Sequence, residues 1–406
     1  MAIVDTQKTR KTKSGIFVKG DANIGLLVHS PFTGLNYAVH SSYERLVLKW
    51  LDQRTTQAPS DAFKYSLGAG WAIDKSEAKH ISPQLLPSPS EFSFLQAPES
   101  PILINWFLTG RCPLACVYCY AEDLMRREEI EPTLQGIEQH AEAILELNPL
   151  VVVLTGGDPL FSPHLSAAIR LLYGKVGIVL DTSGFTLTSN HVNLFRKYGV
   201  SVRISFDSER PAVNQRQRPF YREYPQLAKK GVTSTEAAVE ALCKCLDAGI
   251  SVTVQTVATK KTANDLVALG DKLYRLGVVS WRIFKVVDSK ARHDGYLKLV
   301  GTHTDEGKKI IGKQAQGPYK FSFDAVRTAA VNNWNRGVAI QIDHGEVPNA
   351  VILVGPDGTF YTESNLKLGK ILLDQQRPKA PSIKALKTRI NMQAHAERYL
   401  NLTAND

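Results

Sequence analysis

The sequence predicts an α/β fold built on a parallel β-sheet covered by helices. From residue 102 onward, short apolar runs alternate with helical patterns, and the runs are near-continuously apolar, as expected of strands buried on both faces. A parallel sheet with this many successive units can curl into a full or partial barrel. The predicted strands are 102–108, 150–155, 176–181, 200–206, 250–257 and 279–286, and the predicted helices are 134–147, 163–173, 190–198, 236–248 and 264–276.

A smaller unit precedes this alternation. Residues 1–20 are predicted to be a flexible basic tail, and residues 21–98 a small α+β unit with a linker. Strand patterns begin at Gly25 and Leu35, and two serines then precede an amphipathic helix from Tyr43. The linker is richest in Pro and Ser between residues 82 and 90.

Residues 99–290 are predicted to form the barrel, and residues 291–406 a C-terminal extension that completes or covers it. This extension is expected to contain a helix at 322–334 and a strand at 337–343. A hairpin follows, turning at Pro356-Asp357-Gly358, and the tail from Arg377 is expected to be helical and charged.

Composition bounds the class of protein. The 406 residues are 43% hydrophobic, enough for a full globular core, and no apolar run approaches the ~18 residues of a membrane span. The N-terminus lacks the pattern of a secretory signal, and five cysteines with three clustered do not form a disulfide framework, so a cytoplasmic location is expected. The net charge of +10 is compatible with nucleic acid or acidic substrates, but without a basic face studded with aromatic residues it favours simple solubility.

Three cysteines lie within eight residues, directly after the first predicted strand of the barrel. Cys112, Cys116 and Cys119 have the spacing CxxxCxxC. Three thiolates can hold three irons of a cubane cluster and leave one metal position open, whereas closed sites want four ligands. Inert core thiols, or a zinc site completed by a distant histidine, are the alternatives. Cys243 and Cys245 point to different faces of a predicted helix and are expected to be packing residues.

This loop resembles that of the radical S-adenosylmethionine (SAM) enzymes, with Tyr118 as the aromatic residue before the third cysteine. The resemblance implies that the three cysteines hold a [4Fe–4S] cluster and that SAM chelates the fourth iron. It implies reductive cleavage of SAM to a 5′-deoxyadenosyl radical, with electrons from a donor such as flavodoxin or ferredoxin. It also implies a partial (β/α)6 TIM-like barrel with the cysteine loop after its first strand.

Polar residues at the ends of the next strands are the candidate SAM contacts, because parallel α/β folds bind ligands there. Gly156, Gly157 and Asp158 resemble the Gly-Gly-Glu-Pro motif of the family, with Asp in place of Glu. Ser183 follows the third strand, and Ser205 and Asp207 match the Ser-x-Asp that many members place beside SAM. An ordinary turn or helix N-cap is the alternative at the second and third strands.

Other residues are weaker candidates. Gln255 lies within an apolar strand, where a barrel-facing amide either contacts SAM or substrate or is satisfied in the core. Arg282 or Lys285 either meets a carboxylate or snorkels at the strand edge, which is the more common case. The resemblance implies an Arg past the fourth strand that binds the SAM carboxylate, and Arg216 and Arg218 both fit. His344 is a poor candidate for a catalytic group.

Within the family, the small unit before the barrel and the hairpin after it resemble those of peptide- or protein-modifying maturases. No cysteine follows Cys245, so the C-terminal auxiliary clusters of those maturases are excluded here. A small-molecule substrate is an alternative, and RNA another, because the loop from Arg210 to Tyr224 is basic and aromatic. A non-catalytic zinc-binding adaptor is the alternative of a different class. No membrane partner is expected.

Overall fold

The structure is a computed structural model that describes most, but not all, of the chain. The described residues are 7–32, 34–39, 41–53, 96–119, 121, 131–221, 231–259, 261–278, 280–285, 339–343, 349–363, 367–374 and 377–400. Within them the strands form one sheet of four, one of ten and one of two.

The N-terminal unit is an antiparallel sheet with one helix. Its strands lie in chain order, and helix α1 (Ser41–Gln53) contacts β3. The four strands are β1 (Arg10–Lys11), β2 (Phe17–Asp21), β3 (Gly25–Ser30) and β4 (Leu35–Val39). The two strands and the helix predicted from residue 25 onward therefore form as expected.

The predicted flexible tail differs from the structure, in which residues 10–11 and 17–21 form two strands of this sheet. The physical reason is that apolar side chains alternate between the two faces of this segment, a pattern that the basic residues around it conceal. Ile16 and Val18 pack on the same face as Leu26, whereas Phe17 packs on the other face among residues of the barrel. Because a strand sends alternate side chains to opposite faces, this short segment buries apolar surface on both sides.

The large sheet is the barrel wall. Strands β5 to β10 are parallel neighbours in chain order, β11 joins β10 in parallel, and β12 joins β5 in parallel at the opposite edge. The strands are β5 (Leu103–Phe107), β6 (Val151–Thr155), β7 (Gly177–Thr182), β8 (Ser201–Ser205), β9 (Val252–Ala258), β10 (Ser280–Lys285), β11 (Ala339–Asp343) and β12 (Leu353–Val354). The predicted partial barrel is confirmed, and two further parallel strands flank its six.

Antiparallel strands complete the described sheets. Strand β13 (Thr359–Tyr361) forms the predicted hairpin with β12, and β14 (Lys367–Lys370) pairs with β13. Strands β15 (Leu372–Asp374) and β16 (Arg377–Lys379) form the separate two-stranded sheet. The predicted linker at 82–90 and helix at 322–334 lie outside the described residues.

The helices begin where the sequence provides caps. Thr188 and Thr233 each form a capping box with the side chain three residues later, and Gly199 ends its helix with a left-handed backbone, φ 66°. The described helices after α1 are α2 (Leu134–Glu146), α3 (Leu165–Leu172), α4 (Ser189–Tyr198), α5 (Pro211–Gln217), α6 (Ser234–Asp247), α7 (Leu266–Arg275), α8 (Ile383–Lys387) and α9 (Met392–Tyr399). None of the helices described is long and apolar enough to cross a bilayer.

Alternation along the barrel strands separates a helix-covered face from an interior face. Ile104, Trp106 and Leu154 pack in the large core with the helices, whereas Leu103 and Val153 pack in a second cluster inside the barrel. Asn105 lies between two such interior residues in β5. The interior side chains are therefore those that meet the cavity described below.

The N-terminal unit packs against the N-terminal ends of the barrel strands. The Lys19 ammonium is buried there and donates to Ser100 Oγ, Pro101 O and Asn148 O at 2.8, 3.0 and 3.0 Å. Helix α9 fills the same region, where His395 Nε2 accepts from the Ile102 amide at 3.0 Å. Burial lowers the pKa of His395 to about 4, so the ring is neutral at pH 7.

Lys19 yields a test of this packing. Burial lowers its pKa to about 7, while the unfolded chain keeps the ordinary value of 10.5. Between these values the unfolded state binds the extra proton, so stability rises with pH by roughly 1 kcal/mol per unit. Lys19→Met should remove this rise between pH 7.5 and 9.5 in urea unfolding. The exposed Lys175→Met is the control, and an equal slope in both variants would contradict the prediction.

Candidate functional site

A cavity opens at the carboxyl ends of the barrel strands and continues into the barrel. Its volume is about 240 Å³. Residues from three sources line it: the cysteine loop, the ends of β6 to β8, and the barrel interior. Of the predicted site residues, those on its wall are Cys112, Cys116, Cys119, Tyr118, Gly156, Gly157, Asp158, Ser183 and Ser205.

The three clustered cysteines share this wall as thiols that form no disulfide, Cys112 buried and the other two half-buried. Among the described residues, no three His, Cys, Asp or Glu side chains already have the arrangement of a metal-binding group. By contrast, Cys245 is a core residue, and burial raises the pKa of its thiol to about 12, as expected of a packing residue.

Backbone hydrogen bonds fix the cysteine loop against the segment after α5. Ala115 N donates to Pro219 O at 2.8 Å and Val117 N to Gln217 O at 3.0 Å. Tyr221 N donates to Pro113 O at 2.8 Å from the opposite side. The loop thus behaves as part of a small ladder, although it contains no regular strand.

The glycine pair holds the start of the same loop. Gly157 N donates to Thr109 O at 2.9 Å, and Asp158 N donates to Arg111 O at 2.7 Å, directly before Cys112. A Cβ at Gly157 would lie 2.1 Å from Arg111 O, and one at Gly156 would lie 2.4 Å from Thr109 O. Gly156 also has φ +138°, a conformation that other residues rarely adopt. Both glycines are therefore required by close backbone approach.

Asp158 is a buried connector between two strand ends. Its carboxylate accepts from Leu160 N at 3.2 Å, from the Thr182 hydroxyl at 2.8 Å and from Ser183 N at 2.9 Å, and the Ser183 hydroxyl also donates to it. The turn after β6 is thereby tied to the end of β7. Asp158 also caps the short 3₁₀ helix Pro159–Phe161, so the turn after β6 leads directly into a helical turn, the alternative that the sequence left open there.

Asp207 does not line the cavity, in contrast to the other predicted residues. It is fully buried behind the wall, where it accepts from the Tyr118 hydroxyl and from Val257 N at 2.9 Å. Burial raises its pKa, although the Arg218 guanidinium 3.9 Å away opposes that shift. Asp207 therefore orients Tyr118 from the outside.

Arg218, not Arg216, reaches the cavity. Arg218 is 6% exposed and donates to Tyr118 Oη at 3.0 Å, whereas Arg216 is exposed on α5. Burial opposes the charge of Arg218, but nearby Tyr118, Cys116 and Asp207 outweigh it and raise its pKa above the ordinary value. A permanently charged guanidinium therefore stands beside the cysteine loop.

Deeper in the barrel, the wall includes residues that the sequence left open or did not suggest. Gln255 and Arg282 face the interior, and Arg282 is only 5% exposed. Arg398 and Tyr399 enter from α9 and Glu363 from the segment after β13. No local pattern indicates these last three, because their approach depends on how the C-terminal segment packs. His344 lies outside the described residues.

The close approach at Gly157 gives a prediction for stability. Gly157→Ala should lower the free energy of unfolding by about 1–3 kcal/mol, because the added methyl overlaps the Arg111 carbonyl. Urea unfolding measures this loss. Gly136→Ala on α2 is the matched control, since its Cβ would meet nothing closer than 3.4 Å. Equal stability of Gly157→Ala and wild type would show that the turn relaxes freely.

Comparison with known proteins identifies the barrel. The family model of the Radical SAM superfamily matches residues 106–273. An AdoMet-dependent heme synthase of Methanosarcina barkeri is 26% identical over 193 residues, 47% of this chain and 52% of the relative. A GTP 3′,8-cyclase of Pseudomonas fluorescens is 35% identical over 106 residues, 25% of this chain and 32% of the relative. The chain spans about half the length of the heme synthases it matches, or less.

Solved structures share the architecture. Streptococcus suis SuiB, in a crystal structure bound to precursor peptide SuiA, superimposes with a TM-score of 0.51 at 10% sequence identity, over 86% of this chain and 82% of SuiB. At this identity the likeness concerns the fold. The cysteine loop after β5, the partial barrel and the family match agree: residues 106–273 of this chain are similar to the Radical SAM superfamily.

Proposed function

We propose that this chain cleaves SAM reductively at a [4Fe–4S] cluster held by Cys112, Cys116 and Cys119, and modifies an organic substrate. The observation that supports this most is the meeting of three cysteine thiols, a glycine turn and polar strand ends on one cavity wall. When bound, the cluster supplies the electron that splits SAM into methionine and a 5′-deoxyadenosyl radical, which takes a hydrogen atom from the substrate. The electron comes from a donor such as flavodoxin or ferredoxin.

The residues of the chain divide between contact and support. Gly156, Gly157 and Ser205 line the cavity and are proposed to contact SAM, together with Tyr118. Asp158 and Ser183 hold the β6 and β7 ends together, and Asp207 orients Tyr118, so these three are proposed to position the SAM site. The protein thus supplies binding and orientation, and the cofactors supply the reactivity.

The extension after the barrel is proposed to form part of the site. Strands β11 and β12 lengthen the parallel wall at its two edges, and α9 contributes Arg398 and Tyr399 to the cavity. Residues 291–406 would then complete the barrel. Residues 286–338 lie outside the description, so this proposal rests on 339–400.

Replacing all three cysteines tests the cluster. After anaerobic reconstitution, the wild-type chain should bind about four irons. It should also form 5′-deoxyadenosine with SAM and dithionite. The triple variant Cys112→Ser, Cys116→Ser, Cys119→Ser should lose both, and the matched control Cys243→Ser should keep both. A triple variant that retains iron and deoxyadenosine formation would refute the assignment. A colourless wild-type protein that holds zinc and does not bind SAM would indicate the adaptor instead.

Arg218 is proposed to bind the SAM carboxylate. Charge-assisted hydrogen bonds contribute about 1.5–3 kcal/mol, so Arg218→Gln should weaken SAM binding roughly ten- to hundredfold. Equilibrium binding of SAM to the reconstituted protein measures this change. Arg216→Gln is the control, because Arg216 is two residues earlier in the chain and is exposed on α5. Equal affinities of the two variants would remove Arg218 from the SAM site.

The substrate is proposed to be a peptide or protein. The arrangement of a small unit, a barrel and an extension supports this, and SuiB, of similar fold, is bound to a precursor peptide. A small molecule is the second candidate, because the barrel interior carries buried arginines suited to an anion. The RNA alternative depends on the loop at 210–224, of which residues 222–224 lie outside the description. Cross-linking to peptides encoded beside the gene, set against retention of labelled tRNA, separates the macromolecules.

A further inference from the structure

Two neutral polar side chains meet on the cavity wall below the ends of the strands. Asn105 lies on β5 and Tyr399 on α9, and both line the cavity. They are 8% and 6% exposed, so their polar atoms are largely shielded from bulk water. Asn105 is two residues before the last residue of β5, which places it roughly 6–7 Å deeper in the barrel than the strand end.

The hydrogen bonds of Asn105 fix which way its side-chain amide faces. Its Nδ2 donates to Ile352 O at 3.3 Å and to Tyr399 Oη at 3.3 Å. Because a backbone carbonyl can only accept, the amide nitrogen and not the oxygen must lie on the side of Ile352. Both hydrogens of the amide are thereby used. The side-chain oxygen, Oδ1, receives no hydrogen bond from the part of the chain that the structure describes.

Tyr399 has the opposite capacity left over. Its hydroxyl oxygen accepts from Asn105 Nδ2, and among the described residues no acceptor takes the hydroxyl proton. Burial raises the pKa of Tyr399, although the Arg398 charge and the Asn105 bond oppose that shift, so the phenol keeps its proton near pH 7. An acceptor, Asn105 Oδ1, and a donor, the Tyr399 hydroxyl, therefore stand next to each other on the wall.

Contacts from three directions hold the pair in place. Asn105 N donates to Ile352 O at 2.9 Å, which ties β5 to the segment before β12. Asn36 Nδ2 of the N-terminal unit donates to Tyr399 O at 3.0 Å, and the His395 ring lies edge-on to the Tyr399 ring with the centroids 4.8 Å apart. A buried donor and a buried acceptor without partners each cost free energy, and side chains held in this way cannot turn to pair with other groups. A ligand that pairs with both groups removes that cost.

The chemistry of the pair selects a neutral ligand group. The charged side chains of the same wall, Arg282, Arg398 and Glu363, interact with other groups of the protein. A carboxylate would set one of its oxygens against Asn105 Oδ1, and an ammonium could not accept from the Tyr399 hydroxyl. The ligand group must instead offer one acceptor and one donor side by side.

We propose that Asn105 and Tyr399 bind an amide edge of the substrate, whose carbonyl oxygen accepts from the Tyr399 hydroxyl and whose N–H donates to Asn105 Oδ1. A primary carboxamide and a lactam ring carry these two groups on the same side, whereas a trans peptide bond carries them on opposite sides. The site therefore fits a carboxamide side chain or a lactam ring and not a peptide backbone. This inference rests on the proposed function and names the group of the substrate that the barrel recognises.

Aromatic probes of similar size test the pair on the full-length, cluster-loaded protein with SAM present. Benzamide carries a primary carboxamide and isocarbostyril a lactam, whereas acetophenone lacks the N–H and N-methylbenzamide is a trans amide. In calorimetric titration, benzamide or isocarbostyril should bind saturably and roughly tenfold more tightly than the other two probes, because only they satisfy both groups of the wall. The tighter binder of the two identifies the source of the amide edge, a carboxamide or a lactam.

Two variants separate recognition from folding. Tyr399→Phe keeps the ring and removes the donor, so it should weaken binding of the tighter probe roughly tenfold. Tyr173→Phe is the matched control, because Tyr173 is 45% exposed and distant from the cavity wall, and it should leave binding unchanged. Asn105→Leu should abolish the preference for benzamide or isocarbostyril over acetophenone, a change in selectivity that a loss of stability alone would not produce.

The outcomes distinguish this inference from the proposed function. Absence of binding by all the probes, equal affinities for them, or affinities unchanged by Tyr399→Phe and Asn105→Leu would overturn the inference while iron content and 5′-deoxyadenosine formation persist. Loss of iron and deoxyadenosine formation in the wild type, with amide binding intact, would instead overturn the proposed function alone.

Discussion

The site depends on the contact between two backbone turns, one before Cys112 and one after β6. Thr109 and Arg111 offer carbonyls to the amides of Gly157 and Asp158, at 2.9 and 2.7 Å. These bonds are possible only because residues 156 and 157 have no side chains. The contact fixes where the cysteine loop begins, so the position of the three thiols relative to the barrel follows from it.

Carboxylates carry this constraint outward. Asp158 joins the β6 turn to Thr182 and Ser183, and Asp207 joins the end of β8 to Tyr118 in the cysteine loop. Both carboxylates are buried and bond mainly to other parts of the protein. At the carboxyl edge of the parallel sheet the strands end, and backbone groups there need hydrogen-bond partners that the sheet does not supply. Each of the two carboxylates supplies such a partner. The predicted SAM residues are therefore partly a support for the site.

The barrel interior presents both apolar and polar side chains. Apolar residues of β5 to β7 pack against each other, and polar side chains of several strands also line the cavity, among them Asn105 of β5, Asp181 of β7 and Arg282 of β10. Helix α9 also bonds to the start of β5 through His395 and to Asn36 of the N-terminal unit through Tyr399 O. Arg398 and Tyr399 are thus held by contacts at the N-terminal ends of the barrel strands.

The sequence alone determined the strand–helix alternation, the cysteine loop and the predicted site residues that line the cavity, because these depend on local periodicity and on positions at strand ends. Only the tertiary structure decided that residues 10–11 and 17–21 join a sheet. Basic residues nearby obscure the alternation of apolar side chains, which becomes favourable only when both faces of the strand are covered by other elements. Only the tertiary structure shows that Arg218, and not Arg216, reaches the cavity, and that Asp207 lies behind the cavity wall. It also brought in Arg398 and Tyr399, because contacts between residues nearly three hundred positions apart, such as Asn105 with Tyr399, leave no trace in local sequence.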